Sequence, residues 1–244
     1  MGLLRVTWMG ILAAPLALAA QSSLPNGTIL PVSLDHSLNA GKVHVGQTIR
    51  GTIMQSIPGT AVHRGAKVVG QIIAVTANRD GKSEVSLRFD KIQSHGQTLP
   101  VTTSLRALAS YLDVEEAQMP EEIATRGIEP DTATTQQIGG ETVYRGGGPV
   151  ASGETVVGKP APYGVLVTPR THPGSPCRGN IAGNKGPQAL WLFSSDACGV
   201  YGYPELQVAD AGRSSRTGKF ILVTPKGRLL LRSGSGILLR VQGS

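Results

Sequence analysis

Aromatic side chains are scarce in this sequence, at 4% of 244 residues, and charged ones make up 16%. Scarce aromatics leave Val, Ile, Leu and Ala to build any core. They also argue against an outer-membrane barrel, which needs aromatic girdles and a lipid-facing apolar alternation. Charged residues lie well below the roughly 25% usual for soluble domains. One apolar run stands out, Val6 to Leu18, and it is shorter than the roughly 18–20 residues of a spanning helix. Preceded by Arg5 and followed by Ala19-Ala20 and the polar Gln21-Ser22-Ser23, it reads as an export signal over residues 1–20, removed by cleavage. No membrane span is then expected in the mature chain.

Cysteine is equally sparse: Cys177 and Cys198 are the only two. An even count in an oxidising compartment reads first as a disulfide. Closing such a loop would stabilise the fold by roughly 3 kcal/mol through lost freedom of the unfolded chain.

Glycine and proline, by contrast, are plentiful at 32 and 16 residues. They favour short strands joined by tight turns over long helices. The net charge of +7 is unevenly spread. Residues 24–112 hold 9 Lys/Arg against 4 Asp/Glu (+5), residues 113–160 hold 3 against 9 (−6), and residues 161–244 hold 10 against 3 (+7). Two basic blocks around an acidic middle suggest two domains and a linker. The expected fold is all-β: a small antiparallel barrel or sandwich over 25–112, a linker or extended arm over 113–160, and a disulfide-closed basic β domain over 161–244.

Within the first block, strands are expected at Thr28–Leu34, Val43–Ile57, Lys67–Thr76 and Val85–Phe89. Gly51 would mark a bulge or a close backbone approach. Asn78-Arg79-Asp80-Gly81 and Ser94-His95-Gly96-Gln97 read as turns. Leu99–Thr103 is a further strand. A short helix is then expected, capped by Ser104, with Leu105, Leu108 and Leu112 on one face. In the last block, strands are expected at Gly164–Thr168, Ala189–Phe193 and Leu206–Val208. Phe220–Val223, Leu229–Arg232 and Ile237–Val241 should then form a three-strand meander.

Residues Gly27-Thr28-Ile29-Leu30-Pro31-Val32, Val45-Gly46-Gln47, Arg64 to Gln71, Phe89-Asp90-Lys91-Ile92 and Gly96 to Val101 carry a resemblance. Over 25–105 the chain resembles the C-terminal β-barrel of TrbI-type proteins, envelope-bridging components of conjugation and type IV secretion channels. Family members also carry an inner-membrane anchor and a Pro-rich spacer, patterns this chain lacks. The resemblance therefore implies an exported barrel module with a structural or interaction role, with other envelope proteins as partners.

No reaction motif is complete, so no catalytic residue and no cofactor is expected. Gly212 to Phe220 looks like a phosphate-binding loop, but five residues separate its glycines and Phe follows Lys219. Cys198 could be the nucleophile of a cell-wall-directed hydrolase or transpeptidase with His172 as its base, a role a disulfide would quench. His36, His44, His63 and His95 lack metal-ligand spacing, and no metal site is expected. Glu115, Glu116, Glu121 and Glu122 read as a solvated acidic face. Lys219, Lys226, Arg228, Arg232 and Arg240 form a candidate anion-binding set for envelope lipid or polysaccharide. Nucleic acid is not an expected partner of an exported chain.

Overall fold

The computed structural model describes residues 23–79, 81–118, 134–138, 142–144, 150–152, 155–161, 164–167, 190–193 and 197–243. The chain is mostly β, and its main element is a ten-stranded, nearly closed, barrel-like sheet. The strands are β1 (Ile29–Leu34), β2 (Leu38–Asn39), β3 (Thr48–Ile53), β4 (Lys67–Arg79), β5 (Lys82–Ser94), β6 (Gln97–Pro100) and β7 (Thr102–Ala109). Helix α1 (Tyr111–Gln118) follows. Then come β8 (Thr134–Gln136), β9 (Thr142–Tyr144), β10 (Val150–Ser152), β11 (Thr155–Ala161) and β12 (Gly164–Val167). The last strands are β13 (Gly199–Tyr201), β14 (Gln207–Asp210), β15 (Phe220–Thr224), β16 (Leu230–Leu231) and β17 (Gly236–Gln242).

The main sheet runs β13-β7-β17-β1-β3-β4-β5-β15-β14, with β6 paired to the far end of β5. This corrects the expected division into two β domains. β17 lies between β1 and β7, and β15 pairs with β5. Residues 25–112 alone would leave the outer edges of β1 and of the first half of β5 with unpaired backbone groups. The C-terminal strands satisfy those edges. The expected meander is absent for the same reason: β15, β16 and β17 each pair with an N-terminal strand, β16 with β2. Within the expected linker, β8 and β9 pair, and β10 and β11 join them and β12 in a separate antiparallel sheet, ordered β10-β11-β12-β9-β8. Residues 1–20 and the acidic pair Glu121 and Glu122 lie outside the described residues. Among the described residues no helix is long and apolar enough to cross a membrane.

Alternation along the strands sends one set of side chains inward. Leu30, Val32 and Leu34 of β1 meet Val85, Leu87 and Phe89 of β5 and Ile237, Leu239 and Val241 of β17 in one core. Phe89 and Phe220 stack there with ring centroids 6.3 Å apart. Gly51 marks a close approach and no bulge. The register from Thr48 to Thr52 is continuous, and a Cβ at Gly51 would strike the Val32 side chain.

A second apolar cluster covers the outer face of β1, β7 and β17, where Ile29, Ala107, Ala109 and Leu238 meet Val114, Ala117, Ile138 and Phe193. Gly236 admits the Phe193 ring, which a Cβ there would meet at 2.9 Å. The helix expected from Ser104 starts later. Residues 102–109 are strand, the capping hydroxyl belongs to Ser110, which accepts from Asp113 N at 3.1 Å, and Leu112 is 67% exposed. Of the strand expected over Ala189–Phe193, the described residues 190–193 form a turn closed by Leu190 and Phe193.

Candidate anion-binding cleft

The outer face of β7 and β17 is covered at one end by α1, residues 190–193 and Ala197. At its other end it is open and polar. Arg240 lies opposite Ser104 in the β7–β17 register, between the inward-facing Leu239 and Val241. Period-two alternation therefore sends Arg240 outward. The loop between β14 and β15 arches beside it and brings Arg213, Ser214, Ser215 and Arg216 to the same space. Together with Asn26, Thr102 and the end of β17, these residues line a cleft of about 720 Å³.

The loop is held rigidly. Gly212 N donates to Asp210 Oδ1 at 2.7 Å, and Gly218 N donates to Ser215 O at 3.0 Å. Lys219 N donates to Ser215 Oγ at 3.1 Å. From β17, Gln242 Nε2 donates to Gly212 O at 2.7 Å and Arg213 O at 3.2 Å. Leu105 N in β7 donates to Ala211 O at 2.8 Å. Gly212 and Gly218 both have positive φ, 76° and 65°. A Cβ on Gly218 would strike the Thr103 carbonyl oxygen, so only glycine lets the loop lie this close to β7.

Three arginines thus line one concave surface, and among the described residues of its lining there is no carboxylate. Among the described residues Arg216 and Arg240 form no ion pair; the ion pairs are Lys67–Asp35, Lys82–Glu84 and Arg88–Asp90. Arg213 donates from Nη2 to Cys198 Sγ at 3.8 Å. Like charges gathered on one surface raise the local potential and favour an incoming anion. Guanidinium forks suit phosphate and carboxylate oxygens.

Of the five basic residues expected to bind anions, Arg240 alone lines this cleft. Lys226 and Arg228 flank Gly227, which bonds Gly81 at the β4–β5 turn. Gly81 is eight residues along the chain from Phe89 of β5, whose carbonyl accepts from Thr103 Oγ1 at 2.9 Å beneath the cleft. At about 3.3 Å per residue the separation is about 26 Å. Arg232 precedes β17, toward the opposite end of that strand from Arg240, and Lys219 is not part of the lining. The expected set is therefore dispersed. Arg213 and Arg216 were not among the expected residues, although they lie in the segment resembling a phosphate loop. That segment runs into β15 and not into a helix, so the phosphate-loop geometry is absent, yet its Arg and Ser side chains face the cleft.

Elsewhere, Cys198 is buried and carries no free thiol, and its own N–H and C=O are both bonded to the Tyr201 hydroxyl, at 2.9 and 3.0 Å. Cys177 and His172 lie outside the described residues. Burial pushes the Tyr203 phenol up, and the Asp113 charge adds to it, against an opposing hydrogen bond to Ser235 and the Arg232 charge. Burial and the Glu116 charge raise the Asp113 carboxyl. His36, His44, His63 and His95 are all exposed, and no group of three or more metal-ligating side chains occurs among the described residues. Comparison of the sequence with family models and with curated proteins finds no match.

Proposed function

We propose that the chain is an exported envelope protein with an interaction role, and that it acts by holding an anionic group of an envelope polymer in the Arg213–Arg216–Arg240 cleft. One observation carries this reading: Arg216 and Arg240, which form no ion pair among the described residues, share one open, rigidly built concavity with Arg213. Export rests on Arg5, the apolar run Val6–Leu18 and the small residues after it. Kinship with the TrbI-type barrel rests on the turn and strand residues quoted over 25–105. A Cys177–Cys198 disulfide belongs to the same proposal; the even cysteine count and the absence of a free thiol at Cys198 support it. The same absence disfavours a cysteine hydrolase, which needs an ionisable thiol beside a base.

The test is co-sedimentation of the protein with isolated envelope polymer as salt is raised. Retention at about 0.15 M salt, where charges beyond roughly 8 Å are screened, and its loss in Arg216→Gln/Arg240→Gln, are expected. Release of the wild-type protein at that salt contradicts the proposal.

A further inference from the structure

His63 and His95 are 32 residues apart in sequence, yet their imidazole rings lie 5.4 Å apart between centroids, at 78° to one another. Each is set by a tight turn. Ala66 N donates to His63 O at 3.0 Å, closing the turn that leads into β4. His95 and Gly96 make the two-residue turn between β5 and β6, where Ser94 pairs with Gln97. Ser94 Oγ donates to Ala61 O at 3.0 Å and ties the two turns together.

His95 has a positive φ of 48°, followed by Gly96 at 77°. Two successive positive values make the mirror-image hairpin turn that favours Asn-Gly. Histidine is tolerated in that conformation at some cost. The backbone thus holds an imidazole where a cheaper residue would serve the turn as well, and a second imidazole lies in contact with it. Both rings are exposed, so both can rotate about their side-chain bonds.

The rings meet edge to face as they stand, and rotation about their side-chain bonds would turn one nitrogen of each toward a common point. With a metal–nitrogen distance of about 2.0–2.1 Å, a shared ion sits roughly 3.2 Å from each ring centroid. Two such ligands at a tetrahedral angle place their centroids about 5.2 Å apart, close to the 5.4 Å seen.

We propose that His63 and His95 together form a two-imidazole site for a divalent transition cation of the Zn²⁺, Ni²⁺ or Cu²⁺ class. Water fills the remaining coordination positions, since no third protein ligand joins the pair among the described residues. The positive charge of Arg64, next to His63 in the sequence, disfavours a dication, and two protein ligands hold it more weakly than four would. The site is independent of the arginine cleft and stands or falls without it.

Titration calorimetry of the full chain with zinc chloride tests it. One Zn²⁺ should bind per chain, and His63→Gln or His95→Asn should each weaken binding by more than about tenfold. His95→Asn suits the turn, so its thermal unfolding should occur at or above the wild-type temperature, separating loss of a ligand from loss of fold. His36→Gln should bind as the wild type does. Absence of binding to the wild-type chain up to millimolar zinc, or undiminished binding in the His63→Gln/His95→Asn double variant, overturns the proposal.

Discussion

The side-chain amide of Gln242 donates to the carbonyl of Gly212 across a 2.7 Å hydrogen bond, so the last strand of the sheet holds the loop that carries two of the three cleft arginines. Gln242→Leu removes this bond and the 3.2 Å bond to Arg213 O. The expected cost in stability is about 1 kcal/mol, because the carbonyls can turn to water. The effect on anion binding should be larger in proportion, since a loose loop no longer presents Arg213 and Arg216 together. Urea unfolding alongside polymer binding checks the split.

Glycine at 218 is required by its surroundings as well as by its φ. Gly218→Ala places a methyl group against the backbone of Thr103, whereas Gly59→Ala, at φ 73°, meets nothing within 4 Å. Both should destabilise through the left-handed conformation, by about 1–2 kcal/mol. Gly218→Ala should cost clearly more and should also displace the cleft loop. Denaturant midpoints for the two variants, measured side by side, test the difference.

Strand chemistry was largely legible in the sequence, and the places where it was not have physical causes. Leu105 and Leu108 sit three residues apart, which is helical spacing, yet both face the inner core from a strand. The cause is a bulge: Leu238 pairs with Ala107 and Leu239 with Leu105, leaving Arg106 as the extra residue. One inserted residue turns a period of two into an apparent period of three. Arg106 itself is then re-aimed, and its Nε donates to Ala197 O at 3.0 Å. Long-range pairing was illegible for a different reason. Nothing local in Phe220–Thr224 or Gly236–Gln242 says that their partners lie some 130 and 200 residues earlier. The cleft was half legible, because Arg240 stood in a recognised basic stretch whereas Arg213 and Arg216 were hidden in a failed phosphate-loop pattern.

The Asp35 carboxyl links strands β1, β3 and β4. It accepts from Thr52 Oγ1 at 2.6 Å and Lys67 Nζ at 3.0 Å. Burial alone would raise its pKa; the hydrogen bonds from Thr52 and Lys67, with the Lys67 and His36 charges, outweigh burial and hold it below the ordinary 3.8. A carboxyl lowered on folding stabilises the fold fully above its unfolded value and loses that contribution as pH falls through the folded value. Asp35→Asn should therefore lower stability near neutral pH by about 1 kcal/mol, a modest figure because the Lys67 side chain is partly exposed and its charge is screened. The gap between variant and wild type should close as pH drops below the ordinary carboxylate range. Urea unfolding across that range measures it.

Phe89 and Phe220 join the N-terminal and C-terminal strands at the centre of the barrel. If the chain were two separately folding β domains, Phe220→Ala would loosen the last block alone. In a single sheet it should destabilise the whole by about 3–5 kcal/mol. Amide exchange should then speed up in β4 and β5 as well as in β15.

The arginine cleft is tested most directly by a charge-matched pair of variants. Arg216→Gln/Arg240→Gln and Lys226→Gln/Arg228→Gln each remove two positive charges, the first pair from the cleft and the second from the distant turn. Binding to isolated anionic envelope polymer at about 0.15 M salt should fall by more than about tenfold in the first variant, roughly 1.4 kcal/mol or more, and stay near wild type in the second. Equal losses in both would show that net charge, and not this cleft, is what the polymer senses.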